Sequence, residues 1–201
     1  MKVRTEARRE QILEIATQVF LTHGYGRASM NEIALRMGGS KATLYGYFPS
    51  KEALFMAVIH AEAKRHLATA EDELATVPDG GLRPALIRFG EALASFICSD
   101  LGCATFRMVM TEAGQSDIGK VFYEEGPLQG TQKMAAALSG AMARGELRDA
   151  DPWVAAQQLG ALLTCEVQPR WYLRDNAPMT AQQARDIAER AVEAFLRAYA
   201  V

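Results

Sequence analysis

The sequence predicts an all-α chain in which a small N-terminal three-helix unit precedes a larger helical domain, about nine helices in total. Three observations carry this prediction. Apolar residues recur at helical spacing in one window after another, and capping residues stand at the head of several of those windows. There is no alternating apolar run bounded by turn residues, no Asn-Gly hairpin and no internal repeat.

Thr5 is placed to cap the first helix, where Ile12, Ile15, Ala16, Val19 and Phe20 repeat as i, i+3, i+4, i+7 and i+8. Gly24 stops it. Arg4, Arg8 and Arg9 at its start are either a solvated face or phosphate contacts. The stretch 29–51, SMNEIALRMGGSKATLYGYFPSK, reads as two short helices joined by a glycine turn. Ser29 and Glu32 have the spacing of a capping box, in which the hydroxyl accepts from a backbone N–H and the carboxylate reaches back to the cap. Ile33, Ala34 and Met37 share a face, and Gly38-Gly39 ends the helix where positive φ is easiest to supply. Ser40 caps the next helix. Its Leu44 and Phe48 point inward and leave Lys41, Thr43, Tyr45 and Tyr47 outside the buried stripe. Two helices meeting at a tight turn, the second offering short polar and aromatic groups, is the layout of a helix-turn-helix DNA reader.

After Pro49, Ser50 caps a long helix to about residue 75, with Glu52 in its first turn complementing the helix dipole. This helix runs past the DNA-reading unit and would couple it mechanically to the rest. His60 and His66 fall on different sides of it, which argues against a metal site. Pro78-Asp79-Gly80-Gly81 is a turn cluster. Further helices are expected over 82–99, 101 to about 113, 117 to about 144, 152 to about 173 and 180–200. Asp151-Pro152 is a cap followed by proline at the first helical position, and Thr180 with Gln183 is a second capping box. Gly126-Pro127 should kink or break the 117–144 helix.

Charge is divided unevenly. Residues 1–51 hold eight Lys and Arg against four Glu, a surplus of +4, which leaves −6 for the remainder of a chain whose net charge is −2. The positive end therefore coincides with the unit that would meet phosphates. Cys98, Cys103 and Cys165 make no C-x-x-C pair and are read as small buried hydrophobes in a reducing compartment. No run approaches the roughly 20 apolar residues of a membrane span, and MKVRTEARREQ lacks the apolar core of a signal peptide, so a cytoplasmic protein is expected. The Gly24–Gly26 run has no preceding strand and no third glycine, and GGSKAT lacks P-loop spacing, so neither is a nucleotide site.

The run GYGRASMNEIALRMGGSKATLYGYFPSKEALF resembles the DNA-binding signature of the TetR (tetracycline-repressor) family of transcriptional regulators, over residues 4 to about 59. The segment from about 86 to 163, with FRMVMTEA, VFYEEGP and GELRDADPWVAAQQLGALL, resembles the effector domain of the AefR-like branch. Two positions depart from the pattern. Gly39 stands where a β-branched apolar residue is usual, which predicts a lost core contact, and Gly46 stands where a polar or basic residue is common. Glycine inside a short helix costs up to about 1 kcal/mol relative to alanine.

The resemblance implies a helix-turn-helix domain at 1–50, a linking helix at about 51–76 and an effector-binding and dimerisation domain at 77–201. It implies a homodimer on palindromic double-stranded operator DNA, released by a small apolar or aromatic effector, with no cofactor and no membrane partner. The residues expected at DNA are Arg27, Ser29, Ser40, Lys41, Ala42, Thr43, Tyr45, Gly46, Tyr47 and Lys51. Lys41 and Thr43 would address base edges or nearby phosphates, while Tyr45, Tyr47 and Lys51 would set register on the backbone. For the effector pocket the candidates are Phe96, Phe106, Met110, Phe122 and Tyr123, with Arg107, Glu166 and Arg170 as polar anchors. For the dimer interface they are Leu159, Leu163, Ala188, Ala191, Val192, Phe195 and Leu196 on the last two helices. Two other readings are a helical carrier or scaffold that has lost DNA binding, and an all-helical enzyme. The second lacks G-x-S-x-G, H-E-x-x-H or paired carboxylates at catalytic spacing.

Overall fold

The computed structural model describes residues 5–77, 81–114, 117–173 and 177–201. Lys2, Arg4 and Pro78-Asp79-Gly80 of the expected turn lie outside them. The described residues form eleven helical segments and no strand. They are α1 (Glu6–Arg27), α2 (Met30–Arg36), α3 (Lys41–Tyr47), α4 (Lys51–Ala75), α5 (Leu82–Ile97), α6 (Asp100–Glu112), α7 (Ile118–Glu125), α8 (Pro127–Ala143), α9 (Pro152–Cys165), α10 (Pro169–Tyr172) and α11 (Ala181–Tyr199).

Local chemistry accounts for most of the boundaries. Thr5, Ser29, Ser40, Ser50, Ser99, Asp151 and Thr180 each accept a backbone N–H at the head of a helix. At α11 the capping box is complete, with the Gln183 side chain returning to the Thr180 amide at 2.9 Å. At α2 it is only half made. Ser29 Oγ accepts from the Glu32 amide at 3.2 Å, but the Glu32 carboxylate is drawn to Arg36 at 2.7 Å and His23 at 3.0 Å. Within α1, Gly24 has φ +72° and breaks the helical geometry there. The expected 117–144 helix is two helices, parted at Gly126 with Pro127 opening α8. The last-but-one helix also stops early, at Cys165. Pro169 lacks an N–H and its ring would collide with the Cys165 carbonyl, so the chain resumes as the single turn α10. These two breaks raise the number of segments above nine.

Two cores organise the molecule. The first joins Ile12, Phe20, Ile33, Leu44 and Phe55 from α1 to α4, and it continues into Leu101, Met108 and Val109 of α6 and Ile118 of α7. The second packs the far end of α4 with α5, α8, α9 and α11 around Leu86, Leu138, Leu159 and Phe195. At its centre α5 lies close to α9 and α11: a Cβ on Gly90 would stand 2.5 Å from Leu163 Cδ2 and 2.9 Å from Ala188 Cβ. α4 contributes buried residues to both cores, Leu54, Phe55, Met56, Val58 and Ile59 to the first and Ala70 and Leu74 to the second. Cys98 and Cys103 are buried, and burial raises both thiols, Cys98 to about 11, so they are neutral packing groups. Cys165, in contrast to the expectation, is exposed. Among the described residues no single helix is long and apolar enough to cross a membrane.

Candidate nucleic-acid interface

The turn between α2 and α3 is a Schellman motif. Met37 is the C-cap, Gly38 takes φ +63°, the Gly39 amide bonds the Ala34 carbonyl at 3.1 Å and the Gly38 amide bonds that of Leu35 at 3.0 Å. Gly39 does not leave the predicted gap. A Cβ there would lie 2.6 Å from Met37 Cε and 3.1 Å from the Arg8 guanidinium, so those two groups already occupy the space a β-branched residue would take.

α3 is anchored by its back. Leu44 is fully buried and Phe48 nearly so, and burying a leucine side chain contributes about 1.5–3 kcal/mol. Ser40 Oγ accepts from the Thr43 amide at 3.1 Å and pairs with Thr43 Oγ1 at 3.0 Å. The front then carries Lys41, Ala42 and Tyr45, all exposed, with Thr43, Gly46 and Tyr47 half-buried beside them. Lys41 makes no ion pair or hydrogen bond among the described residues. A cation in the first turn opposes the helix dipole, so Lys41 is a local cost to α3 that an outside anion would offset. Ser29 and Ser40 use their oxygens as cap acceptors, and the Ser40 and Thr43 hydroxyls share one hydrogen bond. Arg27 is exposed, with Nε on the His23 carbonyl at 3.1 Å.

Two residues expected at DNA have structural partners. Lys51 Nζ donates to the carbonyl of Tyr25 at 3.0 Å, lies 3.4 Å from that of Ala28 and 3.5 Å from that of Gly26, and sits 4.3 Å from the centre of the Tyr25 ring. Its ammonium ties down the end of α1 and the residue that follows it. The Tyr47 hydroxyl accepts the Thr5 amide at 3.1 Å and so fastens the start of α1 to α3.

The sequence reading missed the bracing of this unit. Arg8 donates to the Met37 carbonyl at 2.9 Å and Arg9 lies 5.4 Å from the centre of the Phe48 ring, so both N-terminal arginines hold the helix-turn-helix in place. Tyr25 donates to Glu52 at 2.8 Å and packs edge-on against Phe55 at 5.1 Å, which latches the end of α1 to the start of α4. Burial first, then the Glu52 bond, raises the Tyr25 hydroxyl; the Glu52 carboxyl is lowered, by its own backbone N–H first and Tyr25 second. Only the cluster of basic residues before Ile12 hinted at this arrangement.

The eight effector-pocket candidates do not form one pocket. Phe106 stacks on Trp171 at 4.0 Å, Arg107 donates to the carbonyls of Trp171 at 3.1 Å and Leu173 at 2.6 Å, and Arg170 reaches the Ala177 carbonyl, so this group clasps α10 to α6. Phe96 and Phe122 pack on the first core, and Met110 and Tyr123 are 64% and 49% exposed. Glu166 pairs with Arg190 on the surface of α9 and α11. Sequence proximity could not show which helix faces meet. A cleft of about 1470 Å³ lies elsewhere, between α1, α4, the first turn of α6 and one side of α7, and none of the eight lines it.

The interface candidates face inward. Leu159, Leu163, Ala188, Ala191, Val192 and Phe195 are buried within one protomer, and Leu196 packs on the same core. Their broad apolar faces serve α5 and α8. The outward faces of α9 and α11 instead show Val154, Gln157, Ala161 and Cys165, and Arg190, Ala194 and Arg197.

An all-helical chain with a tight glycine turn before a short, outward-facing helix defines a helix-turn-helix DNA-binding protein. Residues 12–58 match bacterial regulatory proteins of the tetR family and residues 84–201 match the AefR-like transcriptional repressor C-terminal domain. The chain belongs to the TetR family of transcriptional regulators. It is similar over its full length to a TetR-family regulator from Mesorhizobium loti, at 25% identity and a TM-score of 0.83, with all of both chains covered. It is 32% identical to the flavonoid-responsive regulator FrrA, with 98% of each chain covered and a TM-score of 0.70. Among curated relatives, the transcriptional activator FasR of Mycolicibacterium smegmatis is 38% identical over 95 residues, 47% of this chain. That match spans 42% of FasR, less than half its length.

Proposed function

We propose that this chain is a ligand-responsive repressor that binds a palindromic operator as a homodimer in the cytoplasm, acting by binding and not by catalysis. Residues 1–50 are the DNA-binding unit, α4 is the link, and 77–201 bind the effector and the second protomer. The observation that supports this most is α3, locked from behind by Leu44 and Phe48 and presenting Lys41 with no partner of its own. Lys41 and Thr43 address base edges or adjacent phosphates, and Ala42, Tyr45, Gly46 and the hydroxyls of Ser29 and Ser40 meet the backbone around them. Arg27 contacts a flanking phosphate. Lys51 and Tyr47 hold this surface in shape.

Pairing through the outward faces of α9 and α11 sets two copies of α3 on one side of the dimer. Readers of successive major grooves need a separation of about 34–36 Å, one turn of the duplex. An apolar or aromatic effector that favours another arrangement of α4 changes that separation and lowers operator affinity. FrrA, by its name, responds to flavonoids and FasR activates transcription, so direction and ligand differ among relatives. Selection from a random duplex library tests the reading. An enriched inverted repeat bound by two protomers is expected; enrichment of no sequence, or of a single half-site bound by one protomer, contradicts it.

A further inference from the structure

We propose that the cleft between α1, α4, α6 and α7 binds a small organic cation with an apolar body, and that this cation is the effector. The inference rests on the ligand-responsive reading above and adds the site and the charge of the ligand.

The cleft has a floor and a wall of different chemistry. Leu13, Met56, Leu101 and Ile118 give it buried apolar surface, enough to take a hydrocarbon or ring system out of water. Its walls carry eight carboxylates against three permanent cations, all three of them on α1 and α4. Glu10 and Glu14, one helical turn apart on α1, have no ion-pair partner among the described residues. Across the cleft the His60 Nε2 is shielded from solvent and makes no hydrogen bond, 3.4 Å from the Glu125 carboxylate. An anion would meet an excess of like charge. A neutral apolar ligand would strip water from these carboxylates without replacing it, whereas a cation supplies the missing countercharge. A divalent metal does not suit the same walls, because among the described residues no three His, Cys, Asp or Glu side chains come together as a metal site. The charge is spread over a volume of about 1470 Å³, which matches a larger, diffuse cation.

The location also suits an effector. One wall is α1, which moves with α3 through the Arg8–Met37 and Thr5–Tyr47 bonds, and the other is α4, α6 and α7. Glu52, half of the latch to Tyr25, lies at the cleft edge. A ligand held between these walls alters the angle between α1 and α4, and with it the pose of α3. Arg107, in contrast, is engaged by the carbonyls of Trp171 and Leu173.

The test uses two near-isosteric probes of opposite charge, tetraphenylphosphonium and tetraphenylborate, with calorimetry on the full chain. The cation is expected to bind at one per chain and the anion not. Glu10→Gln with Glu14→Gln should weaken cation binding about tenfold or more, while Glu166→Gln, a carboxylate neutralised away from the cleft, leaves it unaltered. Equal binding of the anion, wild-type cation affinity in the Glu10/Glu14 variant, or no cation binding at about 1 mM would overturn the site. Both glutamates are exposed, and a thermal melt of the double variant confirms that it folds. Operator affinity measured with the cation present separates the two layers of the claim. A bound cation that leaves DNA affinity unaltered sinks its role as effector and keeps the site; release of DNA by other compounds only sinks the site and keeps the ligand-responsive reading.

Discussion

Lys41 and Lys51 are ten residues apart and have the same charge, yet the structure gives them opposite roles. Lys41 is exposed at the head of α3, while Lys51 Nζ is taken up by the end of α1 and the residue that follows it. Lys41→Ala should therefore weaken DNA binding and reduce the slope of log affinity against log salt by about 1 per protomer. Lys51→Ala should leave that slope alone and lower stability by about 1–2 kcal/mol, visible as a lower midpoint in urea. The Tyr25–Glu52 latch makes a pH prediction. Glu52 is held below its ordinary value of 4.5 in the folded chain, so its contribution is complete at neutral pH and lost as pH falls below that value. Tyr25→Phe removes one partner, and the difference in stability between it and wild type should shrink on acidification, measured by denaturant titration from about pH 7 to about pH 3. A difference that stays constant with pH would mean that the bond does not favour the ionised Glu52 carboxylate.

At the level of elements, helix heads and turns are set by neighbours a few residues away, whereas breaks inside helices depend on packing. The capping serines, the Gly38 turn and the inward pair Leu44 and Phe48 are decided by neighbours a few residues away, so the sequence displays them directly. Pro169 stands inside the expected 152–173 helix, but its effect depends on whether surrounding packing sustains a kinked helix, and here α9 ends at Cys165. The Glu32 side chain went to His23 and Arg36 because those partners are assembled only in three dimensions. Two glycine substitutions check the element-level account. Gly38→Ala forces a side chain into φ +63° and should cost about 1–2 kcal/mol. Gly90→Ala places a methyl against Leu163 and Ala188 where α5, α9 and α11 meet, and should cost about 1–3 kcal/mol by overpacking. Both are read from chemical denaturation midpoints.

Across the whole molecule, the helix-turn-helix is not an independent body, since its core runs on into α6 and α7 through Leu101, Met108 and Ile118. A change among those helices therefore reaches α3 through packed side chains as well as along α4. The surfaces that bind other molecules were the least legible part of the sequence. Periodicity marks apolar faces, but Leu159 and Phe195 lie on faces turned to the protomer's own core. The pocket candidates are neighbours along the chain, but helices α6, α7 and α9 send them in different directions. For the dimer this reverses the expected phenotypes. Ala161→Arg or Ala194→Glu, on outward faces, should yield folded monomers in light scattering, whereas Leu159→Ala should cost about 2–5 kcal/mol of stability.

The central claim is that α3 reads DNA, and fluorescence anisotropy of the full chain on the duplex immediately upstream of its own gene, titrated with salt, addresses it most directly. Binding that resists random competitor DNA, falls steeply with salt, and loses both affinity and slope in Lys41→Ala is the predicted result. Wild-type binding no tighter than to random duplex, on that DNA and on sequences selected from a library alike, would contradict it.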